Sequence, residues 1–428
     1  MLTETATAGH PDSAQKGTAS RRRLRMLVVT GRLFYPANTG GKIRSSQLFE
    51  RLARLHDVTM VSFQTPDEGP DRRRLMEACC NRIETVPFVD HAKGSPGFFL
   101  ELARNAASSQ AFTIDKYDSA PMRRLVSDLL ATDRYDVLVC DFLHPSPNVL
   151  PLKFFPKILF QHNVESVIRQ RHYQTASNPL LKAYLYWDWV RLKRFEGYAA
   201  RTFDHSIMVS EQDSETMRQL FGVTNTSAIP TGVDVDFFQP REPEAPGHHI
   251  VFTGSMDWFP NEDGIQFFVR EILPLIRKEL EVTFWIVGRT PSEPIRRLAD
   301  EHADIRVTGT VDDVRPYMDR AGVYVVPLRI GGGTRIKIFE AMATAKPVVS
   351  TTIGVEGLPV THGANVLLRD DPASFAADVV RLLQSPAERR RLGEAGRALV
   401  VEQYTWDVAA RRFSDICEQV LASREVHR

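Results

Sequence analysis

Short runs of apolar, largely β-branched residues alternate along this chain with longer segments whose apolar residues recur every three or four positions. The first run, residues 26–30, is followed by a glycine-containing loop, an amphipathic segment at 44–55 and a second apolar run at 58–63. Short apolar runs indicate buried strands, and a three-to-four residue period indicates a helix. The order strand, helix, strand predicts a βαβ unit and therefore a parallel sheet.

The same alternation continues to the middle of the chain. Further strands are predicted at residues 137–140, 158–161 and 205–209, with helical periodicity at 120–130 and 181–198. A stretch with few periodic signals follows, and such a composition is typical of a connector between domains. Prolines and glycines are concentrated in this stretch, at Pro230, Gly232, Pro240, Pro243, Pro246 and Gly247.

The alternation then starts again, with strands predicted at residues 250–253, 282–287, 305–307 and 323–327. We therefore expect an α/β protein of two doubly wound domains, with a shared site at the cleft between them. The expected parts are a disordered lead-in (residues 1–23), an N-terminal domain (24–240), a C-terminal domain (241–404) and a final helix (405–428) that packs back on the N-terminal domain.

Composition narrows the function classes. The 428 residues, with 43% hydrophobic and 25% charged residues, fit a soluble protein of two or three domains. The 54 Lys and Arg against 53 Asp and Glu leave a net charge of +1, so no nucleic-acid partner is expected. The four cysteines lack the spacing of a disulfide framework or a zinc site, which favours the reducing cytoplasm.

Membrane attachment is left open by the sequence. No apolar run approaches the roughly 18 residues of a membrane-spanning helix, and the first residues lack the apolar stretch of a secretory signal. One segment is rich in aromatic and basic residues, and two interpretations of it remain open. It forms either an interfacial helix at the inner face of the cell membrane or a helix packed inside the protein. Its residues are Lys182, Tyr184, Tyr186, Trp187, Trp189, Arg191, Lys193 and Arg194.

The strongest chemical signal follows the predicted strand at 323–327. A glycine loop with one cation opens a helical segment that contains Lys337 and Glu340; the loop is Gly331-Gly332-Gly333-Thr334-Arg335. Loop amides, a helix N-terminus and two cations suit a phosphate, and the Glu340 carboxylate can accept two ribose hydroxyls. The pattern indicates a nucleotide site, and the alternative is an ordinary turn followed by a Lys337–Glu340 ion pair on the helix surface.

Three other motifs carry less weight. Residues 36–43 imitate a Walker A loop, but Pro36 replaces the first Gly and Ile43 replaces the magnesium-binding Ser or Thr. The same loop departs from the dinucleotide pattern G-x-G-x-x-G. Asp234 and Asp236 form a D-x-D motif without other ligands nearby. We therefore expect neither a metal site nor a resident cofactor.

The segment 331–343, together with 346–349 and 354–357, resembles the nucleotide-sugar signature of retaining GT-B glycosyltransferases of family 4. The resemblance covers nearly the whole chain beyond Arg25. It includes Gly40-Gly41, His162-Asn163-Val164-Glu165, Val209-Ser210 and Pro230-Thr231-Gly232-Val233-Asp234.

The resemblance implies a GT-B fold, in which two Rossmann-like domains face a central cleft. It also implies a transferase (EC 2.4, hexosyltransferase-like) of polysaccharide or glycoconjugate biosynthesis that needs no metal. The C-terminal domain would bind the nucleotide-sugar donor, and the N-terminal domain would bind a glycan or lipid-linked acceptor. Transfer would proceed with retention at the anomeric carbon.

The resemblance also implies roles for single residues. Glu340 would hold the donor ribose, Arg335 and Lys337 would neutralise the diphosphate, and His162 would face the donor sugar. Preorganised cations stabilise the charge that develops on a leaving diphosphate. The alternative for His162 is a purely structural histidine. The alternative for Gly40 and Gly41 is a simple turn. The resemblance also implies that the donor is contacted by Gly254 and by the loop Gly331, Gly332, Gly333 and Thr334. Gly40 and Gly41 would contact a phosphate or the acceptor.

Two positions depart from the family pattern. Gly332 stands where many members have a Glu, eight residues before the ribose-binding Glu, and Ser255 stands where relatives commonly have an Arg. Two alternative functions therefore stay open. These are a nucleotide-sugar epimerase of the same fold and a nucleotide-sugar-binding protein without catalysis.

Overall fold

The computed structural model describes residues 22–37, 39–92, 94–241, 248–330 and 336–426. Residues 1–21 of the expected lead-in and the loop Gly331, Gly332, Gly333, Thr334 and Arg335 lie outside the described residues. The first strands and helices are β1 (Arg25–Thr30), α1 (Gly40–Leu55), β2 (Asp57–Gln64), α2 (Pro70–Leu75), β3 (Arg82–Pro87), α3 (Pro96–Asn105), α4 (Phe112–Tyr117), α5 (Ala120–Thr132), β4 (Val137–Asp141), β5 (Lys157–Phe160), α6 (Glu165–Thr175), α7 (Pro179–Thr202), β6 (His205–Met208), α8 (Glu211–Phe221) and β7 (Thr226–Ala228).

The second half repeats this alternation. Its elements are β8 (His249–Thr253), α9 (Phe259–Phe267), α10 (Leu273–Ile276), β9 (Thr283–Val287), α11 (Glu293–Glu301), β10 (Ile305–Val307), α12 (Arg315–Arg320), β11 (Val323–Val326), α13 (Ile336–Ala343), β12 (Val348–Ser350), β13 (Leu367–Leu368), α14 (Pro372–Gln384), α15 (Pro386–Gln403) and α16 (Trp406–Val426).

The strands form two parallel sheets. Among the described residues, the first sheet has seven strands in the order β3-β2-β1-β4-β5-β6-β7. The second, within the same part of the chain, has six in the order β10-β9-β8-β11-β12-β13. Each order reverses once, between β1 and β4 and between β8 and β11. Side chains that follow strands at such a reversal face a crevice at the carboxyl edge of the sheet.

Burial explains why the strands have continuous apolar sequences. Helices cover both faces of the first sheet, so β4 is buried along its whole length and β1 is buried after its first residue. Residues of β1 alternate between two cores, with Val28 on one face and Val29 on the other. The second sheet is enclosed by a separate core that contains Phe252, Phe284 and Tyr324.

The last helix returns to the first sheet. Phe413 of α16 is fully buried, and its ring lies 6.4 Å from that of Phe49 in α1 and 5.5 Å from that of Phe160 in β5. Nε2 of His56 lies 2.8 Å from the Ser414 hydroxyl. The chain therefore crosses back after the second sheet and completes a core that its first half leaves open.

The sequence located most strands to within a residue. It did not identify β3, β7, β12 or β13, which are short or lie toward sheet edges. The helix expected over 44–55 begins at Gly40, so the two glycines assigned to a loop occupy its first turn. No helix in the described residues is long and apolar enough to cross a membrane.

Replacing Phe413 by Ala should lower the free energy of unfolding by about 3–5 kcal/mol, because it leaves a cavity between α16, α1 and β5. Urea denaturation followed by circular dichroism measures the change. Val401→Ala is the control, since Val401 of α15 is 43% exposed and should cost under about 0.5 kcal/mol. Equal effects of the two substitutions would contradict the packing of α16 on the first sheet.

Candidate active site

A cavity of about 1640 Å³ lies between the two halves of the chain. The N-terminal half lines it with residues that follow β1, β4, β5 and β6, and the C-terminal half with residues of α13 and the segment after β12. Ordinary small-molecule sites measure roughly 300–1,000 Å³, so this cleft has room for two substrates. Residues that define its walls include Arg44, His162, Ser210, Phe339, Glu356 and Tyr404.

A buried carboxylate organises the N-terminal wall. Asp141, the last residue of β4, is fully buried and lies beside Thr30, its register partner at the end of β1. It accepts hydrogen bonds from the Thr30 hydroxyl at 3.1 Å and from the Ser45 hydroxyl at 2.9 Å. His162 Nε2 lies 2.8 Å from its other oxygen. Three donors from β1, α1 and the end of β5 thus meet at one charge.

This arrangement selects the tautomer of His162. With Nε2–H donating to Asp141, Nδ1 is an acceptor, and it is buried without a hydrogen-bond partner in the described part of the chain. Burial lowers the pKa of His162, and this effect outweighs the opposing influence of Asp141. The imidazole is therefore neutral, and His162 is one of the residues that line the cleft.

Phe142 lies between His162 and the start of α1. Its backbone has φ of 71°, a strained value for a bulky residue. Its ring stacks on His162 with 3.7 Å between centroids and 5° between planes. A Cβ atom at Gly41 would lie 2.6 Å from the Phe142 Cζ, whereas one at Gly40 would meet nothing within 4 Å. Gly41 thus makes room for the ring that supports His162.

Arg44 joins α1 to the connector between the halves. It is buried, donates to the Thr231 hydroxyl at 3.0 Å and to the Ile229 carbonyl, and lies 5.1 Å from the centre of the Phe160 ring. Burial lowers the pKa of Arg44 to about 9, with Asp141 and Asp213 opposing. The guanidinium keeps its charge at neutral pH and adds a cation to the cleft wall.

On the C-terminal side, Lys337 lies in the first turn of α13. Its Nζ donates to Asn261 Oδ1 at 2.8 Å and lies 4.1 Å from the centre of the Phe252 ring. A Cβ atom at Gly254 would lie 2.8 Å from this Nζ, so a side chain there would displace the cation. The structure brings Lys337 and Gly254 together beyond the end of β8.

Glu340 lies one turn further along α13 and is partly buried. Burial raises the pKa of Glu340 to about 7, and Lys337 opposes the shift. A carboxylate in such surroundings gains from any hydroxyl that donates to it. Phe339, the residue before it, lines the cleft and stacks on Tyr404 with 4.5 Å between ring centroids.

The D-x-D motif has a local role. Asp234 Oδ1 accepts hydrogen bonds from the backbone N–H groups of Asp236 at 3.1 Å and Phe237 at 2.9 Å. Its Oδ2 lies 3.5 Å from Arg51 of α1. The motif therefore shapes a turn in the connector and ties this turn to α1.

The sequence did not single out Asp141, Phe142, Arg44 or Asn261. A charged residue that ends a continuous apolar strand was a usable signal for Asp141, because such a charge needs partners. The other three act through tertiary contacts, for which a single sequence has no pattern.

Substituting Gly41 by Ala should destabilise the protein by about 1–3 kcal/mol, because the new methyl group forces Phe142 away from its place on His162. Gly40→Ala is the matched control, one residue away in the same helical turn and with open space around it. It should be neutral or stabilise slightly, since Ala is the better helix former. Thermal unfolding of both variants measures the difference, and equal melting temperatures would contradict the proposed contact.

The chain matches two families of known proteins. Residues 40–237 match the family described as Glycosyltransferase Family 4, and residues 247–385 match the family described as Glycosyl transferases group 1. The MMP alpha-(1->4)-mannosyltransferase of Mycolicibacterium hassiacum is 27% identical over 281 residues, which are 63% of this chain and 66% of that protein.

Solved structures agree in fold. Sucrose-phosphate synthase from Thermosynechococcus elongatus superimposes with a TM-score of 0.65 at 19% identity, covering 93% of this chain and 100% of that one. HepE of Anabaena, solved with UDP, gives a TM-score of 0.64 at 13% identity over 92% of this chain and 100% of that one. These likenesses confirm the expected GT-B fold. The two family matches cover most of the chain, and together with the mannosyltransferase relative they show that it belongs to the group 1, family 4 glycosyltransferases.

Proposed function

We propose that this glycosyltransferase moves a sugar from a nucleotide-sugar donor to a hydroxyl acceptor with retention at the anomeric carbon. The observation that carries the proposal is the neutral His162, which lines a cleft bordered on its other side by α13 and whose Nδ1 is an acceptor without a hydrogen-bond partner among the described residues. A neutral acceptor suits a sugar hydroxyl, and the cleft has room for donor and acceptor together.

The donor occupies the C-terminal side. Glu340 accepts two hydroxyls of the ribose, and Lys337 neutralises the diphosphate. Arg335 and the loop Gly331, Gly332, Gly333 and Thr334 precede α13 in sequence, and we assign them the same phosphate duty. Support comes from the position of Lys337 beside Gly254 and from HepE, which was solved with UDP.

The N-terminus of α1 supplies further phosphate contacts. Its cap residue Thr39 makes no side-chain capping hydrogen bond, and Thr39, Gly40 and Gly41 all line the cleft. Uncapped amides at a helix N-terminus carry partial positive charge and bind anions. The amides of Gly40 and Gly41 therefore suit a diphosphate or an acceptor oxygen.

The reaction proceeds on one face of the sugar. Asp141, the carboxylate that contacts His162, is fully buried and engaged by three donors, so it does not serve as a nucleophile. As the bond between the anomeric carbon and the diphosphate oxygen breaks, the acceptor oxygen forms its bond on the same face and gives its proton to the departing phosphate. Lys337, Arg335 and the α1 amides stabilise the growing negative charge.

Incubation with UDP-, GDP- and ADP-sugars and a glycan or lipid-linked acceptor should release nucleotide and form a glycosylated product with retained configuration. Glu340→Gln and Lys337→Met should each lower kcat/KM about a hundredfold or more, because both contact the donor. Glu301→Gln, on the exposed end of α11, should leave it unchanged. Isomerisation of the donor alone would indicate an epimerase, and binding without product would indicate a non-catalytic protein.

Donor affinity should depend on pH through Glu340. Its folded-state pKa of about 7 means that the carboxyl group is protonated below that pH, and only the ionised form accepts both ribose hydroxyls. Affinity should be full above pH 7 and fall by up to about tenfold per pH unit below it. Donor titrations from pH 5.5 to 8.5, roughly the interval that brackets this pKa, measure the effect. Persistence of the same pH dependence in Glu340→Gln would contradict the assignment.

A further inference from the structure

An exposed apolar surface lies on the N-terminal half, away from the cleft residues described above. It consists of Phe99 and Leu100 of α3 and Leu180, Leu181 and Trp187 of α7, which are 57%, 53%, 84%, 50% and 37% exposed. We call it the α3–α7 surface. Single exposed apolar residues need no explanation, but several on neighbouring helices indicate an interaction site.

Direct contacts bring the two helices together. The Asp188 carboxylate accepts a hydrogen bond from the Phe112 N–H at 2.8 Å, and the Phe112 ring packs on that of Phe98 with 5.8 Å between centroids. Arg191 donates to the Asn105 carbonyl at 3.1 Å while its guanidinium covers Trp187 at 3.2 Å from the ring centre. The C-terminal end of α3 and the α4 residue that packs on Phe98 therefore contact the middle of α7.

The exposed charges of α7 have one sign. The two carboxylates of α7, Asp188 and Glu196, are fully buried. Asp188 pairs with Arg169 and Arg191, and Glu196 accepts hydrogen bonds from backbone N–H groups of α6. The exposed charges of α7 are all cations, at Lys182, Arg194 and Arg201. This excess is local, because the whole chain carries a net charge of only +1.

The α7 part of this surface is connected to the cleft through α6. Tyr173 of α6 packs on Tyr186 and Trp189 of α7, with ring centroids 5.4 and 5.2 Å apart, which holds the two helices as a hairpin. One face of α6, with Val167 and Ile168, lines the cleft next to His162. At about 1.5 Å per residue, the 11 residues of α6 reach roughly 16 Å from there toward the exposed leucines of α7.

We propose that the α3–α7 surface docks this enzyme on an anionic lipid bilayer, with Leu180, Leu181 and the neighbouring aromatic residues in the headgroup region and the cations of α7 against lipid phosphates. Leucines beside Trp and Tyr, flanked by Lys and Arg without exposed carboxylates on the same helix, match the interface of a bilayer in both polarity and charge. A protein partner or a second copy of this chain would place carboxylates opposite these cations, and α7 offers none at its surface for a copy of itself.

Docking of this kind sets the orientation of the cleft. The wall formed by α6 then rises from the bilayer surface toward His162, and an acceptor anchored in the membrane reaches the site by its headgroup alone. The inference concerns binding without substrate, so it stands or falls separately from the proposed transfer reaction.

Co-sedimentation of the full chain with vesicles tests the proposal. The wild type should bind vesicles of phosphatidylcholine with about one third phosphatidylglycerol, bind pure phosphatidylcholine weakly, and dissociate as sodium chloride is raised. Leu180→Asp combined with Leu181→Asp should weaken binding about tenfold or more, because it removes apolar insertion and adds negative charge. Lys182→Glu combined with Arg194→Glu should weaken binding to the anionic vesicles in the same assay.

Leu75→Asp is the matched control. Leu75 is the last residue of α2 and is 53% exposed. The next residue, Met76, belongs to the core on the opposite face of the first sheet, so Leu75 lies away from the α3–α7 surface. This variant should bind vesicles like the wild type. Circular dichroism and the melting shift with UDP, which the substitutions should not change, show that each variant is folded and retains its donor site.

Three results would overturn the proposal: wild type that stays in the supernatant, leucine variants that bind like Leu75→Asp, or a wild-type dimer in solution that the leucine variants convert to monomer. The last result would assign the surface to a second copy. If the protein releases nucleotide from one of the sugar donors but does not bind vesicles, the docking proposal is wrong and the proposed transfer reaction still stands.

Discussion

The buried carboxylate of Asp141 is the constraint on which the N-terminal wall of the cleft depends. A charge in the interior is costly unless hydrogen bonds satisfy its lone pairs. Thr30, Ser45 and His162 supply those bonds, so the ends of β1, α1 and β5 are held around one point at the reversal of the strand order. The same bonds engage Nε2 of His162 and leave Nδ1 without a hydrogen-bond partner among the described residues. Packing by Phe142 then fixes the plane of the ring.

The crossing at the end of the chain links the two halves mechanically. Val233 of the connector pairs with Thr405, and a side chain at Gly232 would collide with Trp406, so the two crossing segments touch along their backbones. Tyr404 stacks on Phe339, the residue before Glu340. The position of the α13 carboxylate thus depends on a residue 64 positions away in sequence, which directly follows α15 and lies where the chain enters α16.

A comparable link runs from the cleft to the α3–α7 surface. Both oxygens of Glu196 accept hydrogen bonds at 2.9 Å, one from the Glu165 N–H and one from the Ser166 N–H. These are the first residues of α6, directly after the segment that carries His162. Burial raises the pKa of Glu196 to about 7, against the effect of these hydrogen bonds. One carboxylate of α7 therefore anchors the helix that lines the cleft beside His162.

The sequence by itself determined the alternation of strands and helices, the two parallel sheets and the position of the connector, because periodicity reports which residues must be buried. It also singled out Lys337 and Glu340, because a glycine loop with cations after a buried strand suits a phosphate, while Gly254 and His162 came from the family resemblance; the roles of all four stay predictions. The sequence did not decide between a nucleotide site and an exposed ion pair for Lys337 and Glu340. In the structure, Lys337 donates a hydrogen bond to Asn261 of α9, a helix distant in sequence.

Only the tertiary structure decided the partners. The tautomer of His162 depends on Asp141 across two strands, the need for glycine at position 41 depends on a ring 101 residues later, and the charge of α7 depends on which carboxylates are buried. Each of these is a contact between segments far apart in sequence, and a contact of that kind leaves no periodic trace. Local patterns fix what each segment must bury, while the energetic cost of an unsatisfied or misplaced buried group fixes which segments meet.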